Sequence, residues 1–379
     1  MKIIIIIPTY NEKENIKKMI FYLEKEIFPK IKQHEMGLLI VDDNSPDGTA
    51  GVVKEVMKKY KNIYLLAGEK EGLGVAYVRG MKYAMKKLSA GWVVEMDADF
   101  QHNPDDLLPM IRATDQGYDY VIGSRYVAGG SIPKEWALYR KFLSVFGSLF
   151  ARIVLWVPKI HDVTSGFKLT KVRGFLDSID LDNVAAFDYS KRYAYKVRIL
   201  YEMVRLGAKV KEVPIKFQPR EEGISKMPKN NFKDTLKLVL TLRWRDSQRL
   251  VKVVIVGGIG AIIQFSIFNL LRLSLRPEFA NTIAVEIAII SNFIINNMWT
   301  FKDRKIKAAQ GIGKLIAKFG QFNLVSLGSI LIQFIVMKVG VSVFGRSFII
   351  ENLLVAVGIL IGLIWNYFMY INFVWKVKK

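Results

Sequence analysis

Cysteine is absent from this chain of 379 residues, so disulfide bonds and thiolate metal sites are both excluded. Histidine is nearly absent: the 3 that occur are His34, His102 and His161, which are too far apart to show the spacing of a zinc site. A metal bound by this protein is therefore expected to have hard oxygen ligands, as Mg²⁺ and Mn²⁺ do.

Acidic residues become sparse after Leu250, where long apolar stretches dominate. Four of these stretches reach the roughly 20 residues that a helix needs to cross the hydrocarbon core of a bilayer. They lie at about 250–271, 279–299, 319–340 and 349–373. We expect an all-α membrane domain of four transmembrane helices at 250–379, behind an N-terminal domain of ordinary soluble composition at 1–230.

The distribution of Lys and Arg predicts how these spans are oriented. Basic residues concentrate between the second and third spans and in the tail; they are Lys302, Arg304, Lys305, Lys307, Lys314, Lys318, Lys376, Lys378 and Lys379. The other loops carry few basic residues, namely Arg272, Arg276, Lys338 and Arg346. We expect a multi-pass protein of the cell membrane with the N-terminal domain and both termini cytoplasmic. No signal peptide is expected, because the apolar run from Ile3 ends at Pro8.

The net charge of +22 is compatible with nucleic acid or with anionic lipid as a partner. Much of this charge flanks apolar segments, which favours membrane lipids and no nucleic acid. Two segments, at about 134–157 and 231–249, mix apolar residues with Lys and Arg in the manner of helices that lie in the membrane interface. Soluble amphipathic helices remain the alternative interpretation.

Short β-rich runs alternate with helical stretches over the first 125 residues, which predicts an α/β fold with a mostly parallel, Rossmann-like sheet. The predicted strands are Lys2–Ile7, Leu38–Val41, Asn62–Leu66, Trp92–Met96 and Tyr118–Ile122. Polar clusters follow the first, second and fourth of them, at 8–12, 42–49 and 97–101. Since ligands of such folds bind at the carboxyl ends of the strands, the three clusters predict one site.

The cluster after the fourth predicted strand contains Asp97, Asp99 and Gln101 at alternate positions. In extended chain such residues share one face, so their oxygens would converge on one divalent cation holding a nucleotide diphosphate. The alternative is a helix N-terminus before Pro104, with Asp99 or Asn103 as its cap.

The membrane part shows a sign of internal duplication. Asn292 precedes Phe301 by the interval at which Asn366 precedes Trp375. Two related helical hairpins would explain this spacing.

Together the motifs of the N-terminal 230 residues resemble glycosyltransferase family 2 enzymes of the GT-A fold, and within them the dolichol-phosphate mannose synthases. The resemblance rests on an ordered set: residues 8–12 (PTYNE), 41–49 (VDDNSPDGT), 72–74 (GLG), 96–99 (MDAD), 123–126 (GSRY), 164–168 (TSGFK), and Arg220 followed by 223–226 (GISK). The C-terminal part resembles the GtrA-like membrane domain that accompanies polyprenyl-phosphate glycosyltransferases.

The resemblance implies roles for individual residues. Binding of the nucleotide sugar is assigned to Pro8, Tyr10, Glu12, Val41, Asp43, Asp97, Ala98, Asp99, Gln101, Lys196, Arg220 and Lys226. Within this set, Asp97, Asp99 and Gln101 would bind Mg²⁺ or Mn²⁺, and the three basic residues would offset the charge of the diphosphate. Helix capping by Glu12 and Asp43, and a solvated surface for Lys196, remain alternatives.

The resemblance implies that the acceptor is a dolichyl or other polyprenyl phosphate, whose phosphate would be bound by Arg125, Arg140 and Ser144. It also implies that Asp97, Asp99 and Arg125 are the catalytic residues. Contact with lipid headgroups is the alternative for Arg140. The expected reaction moves mannose from GDP-mannose, with inversion. The rivals are transfer of glucose from UDP-glucose, a processive polysaccharide synthase and a lipid-linked sugar flippase. A synthase is disfavoured, since Leu240 stands where its Gln-x-x-Arg-Trp motif has glutamine.

Overall fold

The computed structural model describes residues 1–219, 231–271, 273–275, 277–302, 312–345 and 347–375. The chain divides into an N-terminal unit, Met1–Arg243, and a C-terminal unit, Trp244–Lys379. The division falls 13 residues beyond the boundary expected from composition at residue 230.

A seven-stranded sheet organises the N-terminal unit. Its strands are Lys2–Thr9 (β1), Glu35–Asp42 (β2), Ile63–Ala67 (β3), Trp92–Glu95 (β4), Tyr120–Ser124 (β5), Lys168–Lys171 (β6) and Val210–Pro214 (β7). They lie in the order β3-β2-β1-β4-β6-β5-β7, and β6 runs antiparallel to both of its neighbours. The mostly parallel α/β sheet is confirmed, each of the five predicted strands is found, and β6 and β7 were not predicted.

Helices cover both faces of this sheet. They are Lys13–Tyr22 (α1), Thr49–Lys59 (α2), Leu73–Leu88 (α3), Leu107–Asp115 (α4), Leu138–Val154 (α5), Leu181–Val184 (α6) and Tyr195–Arg205 (α7). Ile3, Ile5 and Ile7 of β1 pack in the core with α1, α2 and α4, whereas Ile4 and Ile6 pack in the core with α3, α5 and α7. Since both faces are covered, β1 is an unbroken apolar run instead of an alternating one.

Helix α5 has one buried side and one exposed apolar side. Its small residues Gly147, Ser148 and Ala151 are buried, while Leu138 and Phe142 are 83% and 65% exposed. Further exposed apolar side chains of the segment are Tyr139, Val145, Phe146, Leu149, Ile153 and Trp156. The predicted amphipathic helix at about 134–157 is thus present, with shorter bounds.

Four α-helices account for most of the described residues from 231 onward: Asn231–Leu271 (α8), Pro277–Ile295 (α9), Ile312–Phe344 (α10) and Phe348–Met369 (α11). Each predicted span falls mostly on one of them. Among the described residues, α8 is the helix that meets a test of length and hydropathy for crossing a membrane.

Helix α8 corrects one predicted boundary. The amphipathic segment 231–249 and the first span form a single continuous helix, because nothing between them stops helical hydrogen bonding. Within the segment 231–249, Val239 is buried while Leu240 and Trp244 are 55% and 61% exposed.

The C-terminal unit contains two matching π-helical turns, Asn296–Thr300 after α9 and Tyr370–Val374 after α11. Each is followed by an aromatic residue, and the rings of these residues, Phe301 and Trp375, stack with centroids 4.3 Å apart. The repeat in the sequence therefore corresponds to a repeat in local structure, which supports the duplication.

Candidate functional site

The carboxyl ends of β1, β2 and β4 meet at one edge of the sheet, as the three polar clusters predict. In the parallel register Thr9 lies opposite Asp42, and β4 pairs with the other side of β1. The main chain continues this pairing past β4, where the Met96 amide donates to the Ile6 carbonyl.

Asp42 ties the first two loops together. Its carboxylate is buried and accepts hydrogen bonds from the hydroxyls of Thr9, at 2.9 Å, and of Ser45, at 2.6 Å. The Ser45 hydroxyl in turn accepts from the Asn11 amide at 3.0 Å. Asn11 and Asn44 have φ of 54° and 55°, a left-handed conformation that asparagine tolerates and that is common at functional sites.

Three of the residues assigned to the nucleotide sugar, Tyr10, Glu12 and Asp43, already have partners from this chain. Arg79 donates to Asp43 at 2.5 Å, Asn15 donates to Glu12 at 2.7 Å, and the ammonium of Lys70 lies 3.3 Å above the Tyr10 ring. Burial raises the pKa of Asp43, although the guanidinium acts in the opposite direction.

Pro8 and Val41 lie opposite each other in the β1–β2 register. The Val41 side chain is fully buried in the core, and Ala98 is buried beside Asp97 and Asp99.

Gly72 and Gly74 let the start of α3 approach the segment 190–192 closely. A Cβ atom on Gly72 would lie 2.6 Å from the Lys191 carbonyl oxygen, and one on Gly74 would lie 2.6 Å from that of Ser190. Any side chain at these positions would collide with main chain that cannot easily move. The close packing brings Tyr77 of α3 against Tyr195 of α7, with ring centroids 5.5 Å apart.

Asp97 is the carboxylate on which several elements converge. Its Oδ1 atom accepts a hydrogen bond of 2.9 Å from the Tyr77 hydroxyl and lies 3.9 Å from the Lys196 ammonium. Its main-chain amide donates to Nδ1 of His102 at 3.3 Å. Since burial lowers the pKa of His102 to about 4, the ring is a neutral acceptor and forms no ion pair with Asp97. The Asp97 side chain is 28% exposed.

The extended geometry predicted for Asp97, Asp99 and Gln101 is wrong. Strand β4 ends at Glu95, where its pairing with β6 also ends, and Phe100 takes a φ of 58° within a bend. Asp99 is buried and accepts from the Gln101 amide at 3.2 Å, so the two residues form a local turn.

The helix-cap alternative is correct for Asn103. Its side chain accepts from the Asp105 amide at 3.1 Å, at the start of a short 3₁₀ turn before α4. The Gln101 side chain points elsewhere, since its Nε2 atom donates to the Gln218 carbonyl at 3.4 Å. Asp99 and Gln101 thus remain beside Asp97 without capping the helix.

A cluster of fully buried charges lies beneath Asp97. Burial alone would lower the pKa of Lys196, but Asp97 and its other neighbours raise it overall, so the ammonium stays charged. Lys168 donates to the Lys196 carbonyl at 2.6 Å, and burial lowers its pKa to about 7. Glu95 lies opposite Lys168 in the β4–β6 register and accepts from the Tyr195 hydroxyl at 2.6 Å.

Arg125 is buried in a two-pronged ion pair. Its Nε and Nη2 atoms donate to the two oxygens of Asp162, both at 2.8 Å, and Nη2 also donates to the Thr164 hydroxyl at 3.0 Å. Burial would lower the pKa of Arg125, but Asp162 raises it above its usual range. Arg125 as a whole is only 8% exposed. Its assignment to the acceptor phosphate stays a prediction, and in this structure it organises the loop that carries Asp162 and Thr164.

Ser144 and Arg140 connect α5 to the same region. The Ser144 hydroxyl lies 2.6 Å from that of Tyr126, the neighbour of Arg125. Arg140 lies 3.9 Å above the Trp136 ring, and Trp136 contacts Phe217 edge-on. Arg220 and Lys226, the other predicted basic ligands of the donor, lie outside the described residues.

Within the described residues no group of three His, Asp or Glu side chains is arranged to hold a metal ion. The donor set offered by Asp97, Asp99 and Gln101 is nevertheless made of hard oxygens, which fits Mg²⁺ or Mn²⁺. Such ions commonly take one or two carboxylates from the protein and the rest of their ligands from water and substrate phosphates.

Comparison with known proteins identifies both parts of the chain. The model of glycosyl transferase family 2 matches residues 4–177, and that of the GtrA/DPMS transmembrane domain matches residues 252–375. The protein of Pyrococcus furiosus named dolichol-phosphate mannosyltransferase is 33% identical over 93% of this chain and 94% of its own length. The chain belongs to glycosyltransferase family 2. This glycosyltransferase therefore carries a transmembrane domain of the GtrA/DPMS type.

Two further relatives match the N-terminal part of the glycosyltransferase. The polyprenol monophosphomannose synthase of Mycolicibacterium smegmatis is 35% identical over 62% of this chain and 83% of its own length. The undecaprenyl-phosphate mannosyltransferase of Micrococcus luteus is 36% identical over 60% of this chain and 88% of its own. Among solved structures, the glucosyl-3-phosphoglycerate synthase of Mycobacterium tuberculosis matches with a TM-score of 0.43 and 14% identity over 64% of this chain and 79% of that one.

Sequence reasoning assigned no role to four buried residues of this region, namely Tyr77, Glu95, Lys168 and Tyr195, although Lys168 belongs to one of the motifs. One signal was available: Glu95 is a charged residue at the end of the otherwise apolar run Trp92–Val94. A carboxylate there requires a buried partner. The identity of that partner, 100 residues later at Tyr195, was not encoded in any local pattern.

Proposed function

We propose that this glycosyltransferase transfers mannose from GDP-mannose to dolichyl or another polyprenyl phosphate at the cytoplasmic face of the membrane. The observation that carries the proposal is the similarity over 93% of the chain to the Pyrococcus furiosus protein named dolichol-phosphate mannosyltransferase. The names of the mycobacterial and micrococcal relatives also specify mannose and a polyprenyl carrier.

The diphosphate of the donor binds at the edge of the sheet beside Asp97. Asp97, Asp99 and Gln101 would hold Mg²⁺ or Mn²⁺ beside this diphosphate. When bound, the divalent cation would supply positive charge at the departing diphosphate. The Lys196 ammonium, held 3.9 Å from Asp97, adds a fixed positive charge in a region from which water is excluded.

The nucleoside binds at the loops that follow β1 and β2, next to Pro8, Tyr10, Glu12, Val41 and Asp43. Arg79 keeps the Asp43 carboxylate in place, and a carboxylate only accepts hydrogen bonds, which suits ribose hydroxyls and base amino groups. Arg220 and Lys226 are proposed as cations for the diphosphate, from the family motif alone.

Transfer needs no general base. The second pKa of a phosphate monoester is about 6, so the acceptor is largely dianionic at pH 7. One of its oxygens attacks the anomeric carbon, the bond from that carbon to the diphosphate oxygen breaks, and the nucleoside diphosphate leaves, which inverts the anomeric centre. What the protein supplies is alignment, through Arg140 and Ser144 of α5 and through the loop that Arg125 organises.

The exposed apolar side of α5 supports a position of the site at the lipid surface. A partly buried helix whose exposed side carries large apolar side chains suits the acyl boundary of a bilayer better than water. The helices α8 to α11 contain most of the four proposed spans, and the basic residues that flank them support a cytoplasmic location for the N-terminal unit and both termini.

Membranes containing the full chain test the proposal when they are incubated with labelled GDP-mannose, GDP-glucose or UDP-glucose and their lipids are extracted. The expected product is a mild-acid-labile mannosyl lipid that forms only with GDP-mannose. A glucosyl lipid from UDP-glucose would overturn the choice of sugar, and label in long polymer would overturn the choice of acceptor.

A further inference from the structure

Two buried tyrosines donate hydrogen bonds to carboxylates at the end of β4 and just after it. The Tyr77 hydroxyl donates to Asp97 Oδ1 at 2.9 Å, and the Tyr195 hydroxyl donates to Glu95 Oε2 at 2.6 Å. The two rings stack on each other, and neither is exposed to solvent. Since Glu95 and Asp97 are two residues apart, the pair of phenols fixes the backbone at the point where the strand turns into the bend.

We propose that Tyr77 is a positioning residue that orients the Asp97 carboxylate for binding of the divalent cation and diphosphate. This inference rests on the proposed function, because it requires Asp97 to bind that ligand. Tyr77 does not itself reach the substrate; it acts through the hydrogen bond to Oδ1, which fixes the rotation of the carboxylate and thereby the direction of Oδ2. Partners of this kind set the affinity of carboxylate sites for metal ions.

The Tyr77 side chain makes a second contact through its ring, which is independent of the hydrogen bond that its hydroxyl donates to Asp97. The Lys196 ammonium lies 5.1 Å from the centroid of the Tyr77 ring and 4.8 Å from that of Tyr193. Gly166 leaves room for this ammonium, since a Cβ atom there would lie 2.4 Å from it. The ring therefore helps to hold Lys196 near Asp97, whereas the hydroxyl acts on Asp97 directly.

Replacing Tyr77 by Phe removes the hydroxyl and keeps the ring, its stacking on Tyr195 and its contact with Lys196. We expect Tyr77→Phe to bind Mn²⁺ in the presence of GDP about tenfold more weakly, and to lose kcat with little change in KM for the lipid acceptor. Mn²⁺ binding to the purified full chain is measured by electron paramagnetic resonance of the free ion.

Tyr120→Phe is the matched control. Tyr120 is also fully buried in this unit, and its hydroxyl has no hydrogen-bond partner among the described residues. Its loss is expected to leave the Mn²⁺ affinity unchanged. If Tyr120→Phe weakened binding as much as Tyr77→Phe, the effect would be a general consequence of core substitution and the positioning role would be rejected.

Asp97→Asn separates this inference from the proposed function. Loss of Mn²⁺ binding in Asp97→Asn together with wild-type binding in Tyr77→Phe would overturn the positioning role alone. Unchanged binding in Asp97→Asn would overturn the metal site itself.

Destabilisation of Tyr77→Phe does not obscure the result, because the rise in Tm that GDP and Mn²⁺ produce is measured against the same variant without ligand. A rise as large as that of the wild type would reject the positioning role.

Discussion

The two units of this glycosyltransferase bury polar groups of different kinds. Charged side chains are buried throughout the N-terminal unit, among them Arg125 with Asp162 and Lys196 near Asp97, whereas the buried polar residues described in the C-terminal unit are Asn296, Asn297, Thr300 and Ser329. Burying charge is costly and is offset only by well-placed partners. In the N-terminal unit, the buried charges Arg125, Asp162 and Lys196 lie where the proposed chemistry takes place.

The C-terminal unit relies on aromatic packing instead. Its core contains Phe293, Phe301, Phe322, Tyr370 and Trp375, and its helices expose large apolar side chains along their length. A unit of this kind suits an apolar solvent, in which unpaired charge is costly and packing provides the stability. The comparison therefore predicts that substitutions act on the two units by different means.

Arg125→Met should have the largest effect on stability. It leaves Asp162 as a buried carboxylate without its partner, which lowers the free energy of unfolding by about 3–5 kcal/mol. Thermal unfolding of the full chain in detergent measures this. Lys171→Met is the control, because the Lys171–Asp119 pair is partly exposed and contributes about 1 kcal/mol or less. Equal losses in the two variants would contradict the special role of buried charge in this unit.

Phe301→Ala tests the aromatic core of the C-terminal unit. Removing a fully buried ring that stacks on Trp375 should lower stability by about 3 kcal/mol while leaving binding of GDP and Mn²⁺ intact. The Tm of the full chain and its shift on adding ligand report the two quantities separately. A variant with normal stability would show that this stack is incidental.

Phe142 tests whether the apolar side of α5 meets lipid. Because the native chain has no cysteine, Phe142→Cys offers a unique site for a spin label in lipid nanodiscs. Moving a phenylalanine from water to the acyl boundary is worth about 2 kcal/mol, so we expect the label to be reached by oxygen and protected from an aqueous nickel complex. Lys58→Cys on α2 should show the opposite. Equal access of the nickel complex to both sites would place α5 in water.

Asp106 is a half-buried carboxyl that, unlike the buried Asp162 of its unit, lacks a basic partner for one of its oxygens within the described part of the chain. Its Oδ2 atom has no hydrogen-bond partner among the described residues, and burial, reinforced by Asp105, raises the pKa of Asp106 to about 6. A carboxyl whose pKa is raised on folding contributes stability below the unfolded value near pH 4 and loses it as the pH rises through 6.

Asp106→Asn should therefore increase the free energy of unfolding by about 1–2 kcal/mol at pH 7.5, with the difference vanishing towards pH 4. Unfolding curves of both proteins across this range check it. A variant less stable than the wild type at pH 7.5 would indicate that the ionised carboxylate is needed.

The sheet was predictable where it is apolar and parallel. Strands β1 to β5 lie in β-rich runs between turn signals, and their order along the chain placed the polar loops at one edge. Strands β6 and β7 were missed because Lys168–Lys171 and Val210–Pro214 are short and mix charged with apolar residues. Their assignment depends on pairing with strands distant in sequence.

The site was predictable to the level of its loops. Asp97, Asp99 and Gln101 were placed at the correct edge, but the expected alternation failed because β4 ends at Glu95 and Phe100 turns the chain into a bend. Residues that act through tertiary contacts, such as Tyr77, 20 positions before Asp97, left no local signal. Arg125 was recognised by its motif, while its burial against Asp162 became visible only in the fold.

The central claim is that transfer depends on a divalent metal ion bound with the help of Asp99. It is tested most directly by measuring transfer by the Asp99→Ala variant and by the wild-type enzyme after its metal has been chelated. The measurement is mannosyl transfer from GDP-mannose to polyprenyl phosphate by the full chain in nanodiscs, with and without EDTA. The account predicts a loss of about 100-fold or more in both cases, recovery of the wild type with Mg²⁺ or Mn²⁺, and no recovery of the variant, whose Tm stays near that of the wild type. Undiminished transfer with the metal removed, or full activity in Asp99→Ala, would contradict it.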